Sequence, residues 1–455
     1  MKVQKEFYKT IFAIAIPIAL QNLITLGTSL MDTIMLGRAD TTGILLSASS
    51  LANQPFFILQ VLTFGLASGC SVLCAQYWGK GDVKPIKQLF GFVFRLAVIV
   101  GMIFGITVLT VPEKVMGVYS NDAAVIVNGA KYLRILGYAY FTFAISNTML
   151  SAFRSVEVLK VSVVCSIVSF CTNVFLNWVL IFGNLGAPAL GIEGAAIATL
   201  TARLLEFVIT MIYLFAVDKK LQFRFADIFS HNSILEHDCV KSGTPVVINE
   251  LMWSLATSMQ AAILGHITYS SGNAVAANSI AGVIQQLSTV MIMGVSNGAA
   301  VIIGMAIGEN NIEKAHARAK AIRRLGTVMG IISCIFILLV RDTFVGFYNV
   351  PEETKILASQ IITAFAFITI CCAVNMVHIL GILRGAGDTK FCMATEISCL
   401  WLLSIPLASI GAFVFQLPVV LVFMLMKIDE PSKMIVCLIR TKSDKWMKSL
   451  TRNFE

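Results

Sequence analysis

The chain has 455 residues, of which 57% belong to the apolar set AVILMFWYC and 13% are charged, and its mean hydropathy is +0.83. Soluble domains carry about 25% charged residues, so the composition excludes a disordered chain and an ordinary soluble globule. The excess of 34 Lys+Arg over 25 Asp+Glu, net +9, lies mostly in short loops and the C-terminal tail, where membrane topology accounts for it and nucleic-acid binding is not implied.

A membrane helix needs about 20 apolar residues. In chain order the apolar runs are 10–37, 47–79, 86–111, 120–152, 155–183, 189–218, 242–270, 275–308, 319–340, 353–384, 388–415 and 417–440. None shows the short alternating segments of a membrane barrel, and in hydrocarbon only helices or closed barrels satisfy the backbone. The expected class is an all-α membrane protein with twelve transmembrane helices. The first run is too long for a cleavable signal, and a second follows at once, so it is read as a span. Basic residues cluster at the N-terminus (Lys2, Lys5, Lys9), in the second connection (Lys80, Lys84, Lys87), in the sixth (Lys219, Lys220, Arg224, Lys241), in the eighth (Lys314, Arg318, Lys320, Arg323, Arg324) and in the tail (Lys442, Lys445, Lys448, Arg452). Odd-numbered connections are poor in them. That asymmetry places both termini in the cytoplasm of a multi-pass protein, and the cell membrane is the expected location. The 11 cysteines include no CxxC pair, so reduced thiols packed as small apolar groups are expected, without a disulfide framework or metal site.

The two halves repeat. Ala15-Ile16-Pro17 and Gly243-Thr244-Pro245 open the first and seventh spans at an offset of 228, which Leu36-Gly37 and Leu264-Gly265 share. GLASGCSVLCAQYWGKGD (Gly65 to Asp82) matches GVSNGAAVIIGMAIGENN (Gly294 to Asn311) at 229, and LSAFRSVEVLK (Leu150 to Lys160) matches LGILRGAGDTK (Leu380 to Lys390) at 230. Six spans per copy give parallel repeats, related by an axis along the membrane normal. The expected organisation is a six-helix lobe over 1–218, a cytoplasmic linker over 219–241, a second lobe over 242–440 and a basic cytoplasmic tail over 441–455.

A carboxylate at mid-bilayer costs several kcal/mol unless it is paired or hydrated. Asp32 lies deep in the first span and Glu250 near the start of the seventh. Each reads either as a binder of Na⁺, H⁺ or a cationic substrate, or as a structural carboxylate satisfied by polar neighbours. Asn173 and Asn177, four apart, share a helix face and need partners, which Asp32, a bound cation or a neighbouring helix could supply. Thr199, among small residues in GAAIAT, reads as a further polar group or as close helix packing. Arg203 and Glu206, three apart, form a local ion pair. Glu396 in the eleventh span and His378 in the tenth are weaker candidates for contact with a pore, and His266 sits at the outer end of the seventh span. Abundant Phe, Met and Tyr would suit apolar cations through cation–π contacts and adaptable packing.

Two motifs mislead. GVSNG (Gly294 to Gly298) fits the hydrolase pattern G-x-S-x-G, which requires a strand–turn–helix setting; inside a long apolar helix it reads as small-xxx-small packing. No HExxH, Walker-type loop or soluble nucleotide domain is present, so no enzyme activity is expected, and energy must come from an ion gradient, a partner or nothing.

Over nearly its whole length the sequence resembles the multidrug and toxic compound extrusion (MATE) family. The resemblance is carried by MDTIMLGR (Met31 to Arg38), AQYWGKGD (Ala75 to Asp82), NVFLNWVLIFG (Asn173 to Gly183), LGIEGAAIAT (Leu190 to Thr199), PVVINELMW (Pro245 to Trp253) and LRGAGDTKF (Leu383 to Phe391). It implies two six-helix lobes around a central cleft, alternating access, and export of organic cations driven by inward Na⁺ or H⁺. Asp32 matches the family's first-helix carboxylate, with Asn173, Asn177 and Thr199 as the polar groups around a bound cation or proton. Glu250 matches a seventh-helix acid of one branch, there to meet substrate or a second cation. That branch also has an aspartate in the tenth helix; here Ala373 holds the place, with Asn375 nearby. Another branch has aspartate where this chain has Asn177.

The expectation is a monomeric secondary antiporter in the lipid bilayer. It would exchange small organic cations for Na⁺ or H⁺, with no cofactor and no metal beyond a possible Na⁺ at Asp32. The alternatives are a flippase for an anionic lipid-linked precursor, which would need a cationic cleft (Arg203 and Arg134 are the available bases), a polytopic membrane enzyme and a passive channel.

Overall fold

Helices make up the whole of the regular structure among the described residues, and there is no strand. The computed structural model describes residues 2–40, 43–267, 273–348 and 350–452, with side chains from Tyr8 onward. In chain order the long helices are α1 (Lys2–Ala39), α2 (Ile44–Lys80, interrupted at Asn53), α3 (Val83–Thr110), α4 (Ala123–Ser155), α5 (Lys160–Phe182), α6 (Ile192–Val217), α7 (Ser233–Gly265), α8 (Ala274–Gly308), α9 (Ile312–Gly346), α10 (Glu352–Leu383), α11 (Thr389–Val414) and α12, which is broken into Val419–Met426 and Asp429–Arg440. A short helix, Pro112–Tyr119, lies between α3 and α4.

Nine of these, among the described residues, are long and apolar enough to cross a membrane. The other three are α4, which carries Lys131, Arg134 and Arg154; α7, whose first turns hold Glu236, His237, Asp238 and Lys241; and the broken α12. The twelve-span expectation therefore holds, with polar side chains explaining where hydropathy alone falls short.

The helix ends have local causes. The Asp122 carboxylate accepts from the amides of Ala124 (2.8 Å) and Val125 (3.4 Å) and opens α4. Asn273 and Asn311 cap α8 and α9 through Ala276 N and Lys314 N. Such caps satisfy amides that have no partner within the helix. Gly81 and Gly183 end α2 and α5 at φ +80° and +73°, a backbone region that side chains disfavour.

The helices form two units. One spans Leu20–Thr244; the other joins α1 up to Ala19 with Pro245–Glu455. In the first, α4 packs against α2, α3 and α6, and α5 packs on α6. In the second, α10 packs against α8, α9 and α12, over a core that includes Ala256, Ile263, Ile280, Ile337, Phe365 and Phe423. The fourth helix of each repeat is thus central in its unit. The repeat also recurs as a contact: the opening of α7 lies on α2, where a Cβ on Gly69 would stand 2.7 Å from Gly243 Cα and a Cβ on Gly243 would stand 3.2 Å from Gly65 O. The opening of α1 lies on α8, where a Cβ on Gly294 would stand 2.6 Å from Ala15 O. Ala15 and Gly243 are 228 residues apart, so corresponding positions touch in both units. Pro17 and Pro245 lie inside α1 and α7 near the points where those helices pass between units, and proline there removes a backbone bond. The GVSNG segment is helical, with Ser296 Oγ donating to Ile292 O at 2.8 Å, and it supplies this close packing.

Two segments differ from expectation. α7 begins at Ser233 and so covers 233–241 of the expected linker. The segment before it is tied down: Asp227 O would lie 2.2 Å from a Cβ on Gly91, and Arg95 Nη1 donates to Ser230 O at 3.3 Å. The tail, expected as a basic cytoplasmic stretch over 441–455, packs against the second unit. Trp446 is fully buried with its ring 5.7 Å from that of His316, and His316 Nε2 meets Asp444 at 2.7 Å. Arg440 and Lys448 both pair with the buried Asp388, at 2.9 and 2.5 Å. The reason is an internal carboxylate that these bases must answer. The 11 cysteines are free thiols, of which Cys70, Cys74, Cys165, Cys239, Cys334, Cys392 and Cys437 are buried and Cys171 is exposed.

The glycine contacts yield a stability prediction. Gly69→Ala places a methyl against backbone and should destabilise the purified protein by about 1–3 kcal/mol, read as a lower melting temperature. Gly117→Ala, with nothing within 4 Å of its Cβ, should leave it unchanged or slightly raised.

Candidate functional site

In the 20–244 unit the residues expected to act together do meet. Asn173 and Asn177, one turn apart on α5, are 1% and 0% exposed, because α5 turns that face toward α1 and α6. Asn177 Nδ2 donates to Asp32 Oδ1 at 2.5 Å and to Asn173 Oδ1 at 3.1 Å. Asn173 Nδ2 donates to Thr199 Oγ1 at 3.2 Å. The result is a polar row, Thr199–Asn173–Asn177–Asp32, crossing from α6 through α5 to α1. Its members are neutral except for the carboxylate. Asn177 Oδ1 is buried and has no partner, so the row offers an unused amide oxygen as well as a carboxylate.

One turn further along α6, Arg203 Nη1 donates to Glu206 Oε2 at 2.8 Å, the local ion pair read from their spacing. Its guanidinium lies over the rings of Phe143 (5.0 Å) and Phe56 (5.8 Å). Arg203 is thus committed to a carboxylate and two aromatic faces. Arg134 pairs with Glu113 at 2.5 Å on an exposed edge.

Glu250 belongs to the other unit and is not a lone carboxylate. Arg384, at the end of α10, donates through Nη1 and Nη2 to Glu250 Oε1 at 3.3 Å and lies 3.9 Å from Glu396 Oε2. Asn249 Nδ2 donates to Glu396 Oε2 at 2.5 Å. A π-helical stretch, Val377–Leu383, widens the last turns of α10 before Arg384, which is 5% exposed. One guanidinium therefore answers two carboxylates from α7 and α11. His378 packs structurally, its Nδ1 2.7 Å from Val374 O, and His266 Nδ1 lies 2.8 Å from Ala262 O.

Sequence reading passed over three buried charges of α12. Lys433 Nζ pairs at 2.8 Å with both Asp429 and Glu430. The signal was present: charges at i, i+1 and i+4 inside the last apolar run. It also passed over Arg154, whose guanidinium donates to Gln21 Oε1 (3.2 Å) and Ser151 Oγ (2.8 Å). Arg154 and Arg384 occupy matching repeat positions, yet only Arg384 has carboxylate partners.

A helical membrane bundle built twice over, with ionisable groups enclosed within its spans, has the architecture of a membrane transporter. The MatE family model matches residues 17–179 and 245–410, and the chain belongs to that family of transporters. A probable multidrug resistance protein NorM of Thermotoga maritima is 25% identical over 450 residues, covering 97% of this chain and 94% of its own length. A probable multidrug resistance protein YoeA of Bacillus subtilis is 26% identical over 431 residues, covering 90% and 87%. The fold is also that of a MATE transporter of the MOP superfamily solved in an outward-facing conformation, with TM-score 0.87, 20% identity and 95% of each chain covered. A MOP superfamily transporter from Pyrococcus furiosus gives TM-score 0.86 at 19% identity over 95% of each chain.

The Arg384 network yields a second prediction. Arg384→Met leaves two enclosed carboxylates unanswered and should cost about 3 kcal/mol in thermal melting of the purified protein. Adding Glu250→Gln should restore part of that loss, and strictly additive losses would show that the two residues are not coupled.

Proposed function

We propose that this transporter is a secondary active antiporter that exports organic cations in exchange for Na⁺ or H⁺ by alternating access. The observation that carries the reading is Asp32: a carboxylate at membrane depth in α1 whose hydrogen-bond partner is the neutral amide of Asn177. A monovalent cation or proton arriving there gains the carboxylate and the unused Asn177 Oδ1 and reorders the row to Thr199. Binding that differs between two conformations is what shifts their populations. The names of the curated relatives, multidrug resistance proteins, support small molecules as the cargo. Phe and Tyr side chains of the 20–244 unit would serve such cargo by cation–π contact. Glu250 has a narrower role in this reading, since a substrate or second cation reaches it only in exchange for Arg384. In this reading the protein acts as a monomer in the cell membrane, and cytoplasmic placement of both termini agrees with the Lys and Arg distribution.

Efflux of a fluorescent organic cation from proteoliposomes tests the reading, with a Na⁺ gradient and a pH gradient imposed separately. One gradient should drive wild-type efflux, and Asp32→Asn should slow it by about tenfold or more, the effect of losing about 1.4 kcal/mol of differential binding. Glu250→Gln should slow it less. Normal transport by Asp32→Asn would move coupling away from α1. If wild type moves no cation under either gradient, the organic-cation reading fails, and an anionic lipid-linked precursor is the next substrate to assay.

A further inference from the structure

The repeat lets each enclosed group of one unit be set against its counterpart in the other. In the 245–455 unit, Arg384 is answered by Glu250 and Glu396, and Asn249 donates to Glu396. The counterparts in the 20–244 unit stand 228 or 230 residues earlier: Arg154 for Arg384, Gln21 for Asn249, Asn22 for Glu250 and Ser166 for Glu396. Both carboxylates are gone and the guanidinium remains. The approach of the two helices is kept, since Arg154 joins α4 to α1 through Gln21 as Arg384 joins α10 to α7 through Glu250.

The set that remains is rich in donors. The part-buried Arg154 meets only neutral acceptors, Gln21 Oε1 at 3.2 Å and Ser151 Oγ at 2.8 Å. Among the described residues no carboxylate pairs with it. Glu157, the nearest acid in the chain, accepts instead from Trp78 Nε1 at 3.4 Å. Two further donors are buried without a partner: Asn22 Nδ2, beside Gln21 on α1, and Ser162 Oγ, in the first turn of α5. Ser162 holds the repeat position of Cys392, which lies within electrostatic range of Arg384. A guanidinium has five N–H groups, more than the two acceptors that Arg154 meets. An enclosed charge without a counter-charge, and buried donors without acceptors, cost more than an ordinary hydrogen bond gains.

We propose that Arg154, with the donors of Asn22 and Ser162, is a binding site for the carboxylate of a small-molecule ligand. The planar fork of a guanidinium matches a carboxylate, and carboxylates are what its counterpart Arg384 holds. The 245–455 unit supplies that acid from its own helices; the 20–244 unit leaves it to a ligand. Gln21 stands 11 residues before Asp32, about 16 Å along α1. The site is therefore separate from the row at Asp32 and does not depend on the reading given to it.

The test follows the melting temperature of the full-length protein in detergent while potassium benzoate replaces potassium chloride at constant ionic strength. A ligand that binds the folded state raises that temperature. Benzoate should give a saturable rise, and benzamide, of the same shape without the charge, should give none. Arg154→Gln should abolish the rise, and Asn22→Ala should move its midpoint by about tenfold. Asn22→Glu builds the Glu250–Arg384 arrangement into the 20–244 unit, so it should melt higher than Asn22→Ala without ligand and should no longer respond to benzoate. Absence of a rise in wild type, an equal rise with benzamide, or a response that survives Arg154→Gln overturns the site. If Arg154→Gln fails to fold, Asn22→Glu decides, and an unchanged benzoate response there rejects the proposal. No ion gradient is present, so the outcome stands apart from the efflux assay at Asp32.

Discussion

A charge enclosed by hydrocarbon must find its partner inside the protein, and the interior of this transporter is arranged around that requirement. Several of its ionisable side chains draw in groups from other helices. Asp32 of α1 recruits an amide of α5, which in turn is held by a hydroxyl of α6. Arg384 of α10 binds acids of α7 and α11. Asp388, after α10, draws Arg440 and Lys448 onto itself and so brings the tail down over Trp446. Apolar packing alone could not specify these registers, because one Leu or Ile face in lipid is nearly equivalent to another. The polar groups cannot be exchanged in that way, since each misplacement leaves a donor or acceptor bare.

The two repeats keep a common frame and diverge in chemistry. The frame is steric: Gly65 against Gly243, and Gly294 against Ala15, place helix backbones in contact at corresponding positions. Side chains with no Cβ, or a small one, are what permit that approach. The chemistry is set by substitution at matched points. Arg154 meets neutral Gln21 and Ser151, whereas its counterpart Arg384 meets two carboxylates. Asp32 corresponds to Gln260, and Asn22 to Glu250. One unit thus sets Asp32 among amides; the other sets Glu250 and Glu396 around the single guanidinium of Arg384.

Much of the architecture was legible in the chain. Apolar run length, the absence of alternation and the Lys/Arg asymmetry are local or additive properties, and twelve spans in two parallel repeats follow from them. The Asp32–Asn177–Asn173–Thr199 grouping was legible as well, since an isolated carboxylate and two amides one turn apart all needed partners. Less legible were the start of α7 inside the expected linker and the packed tail. Both depend on Arg95, Asp388 and Trp446 finding partners distant in sequence. The α12 charges were visible as residues, but nothing local distinguished them from a solvated helix end.

The sequence by itself determined the helical class, the span count, the duplication and the candidate carboxylates, because hydrophobic length, periodicity and composition act over one helix at a time. Only the tertiary structure decided which charges neutralise which. Glu250 became a partner of Arg384, Asn375 became fixed against Glu430, and Arg154 was left with neutral partners, through approaches between helices dozens or hundreds of residues apart. In a low-dielectric interior an ion pair is decided over a few ångströms, and sequence spacing does not set that distance between different helices.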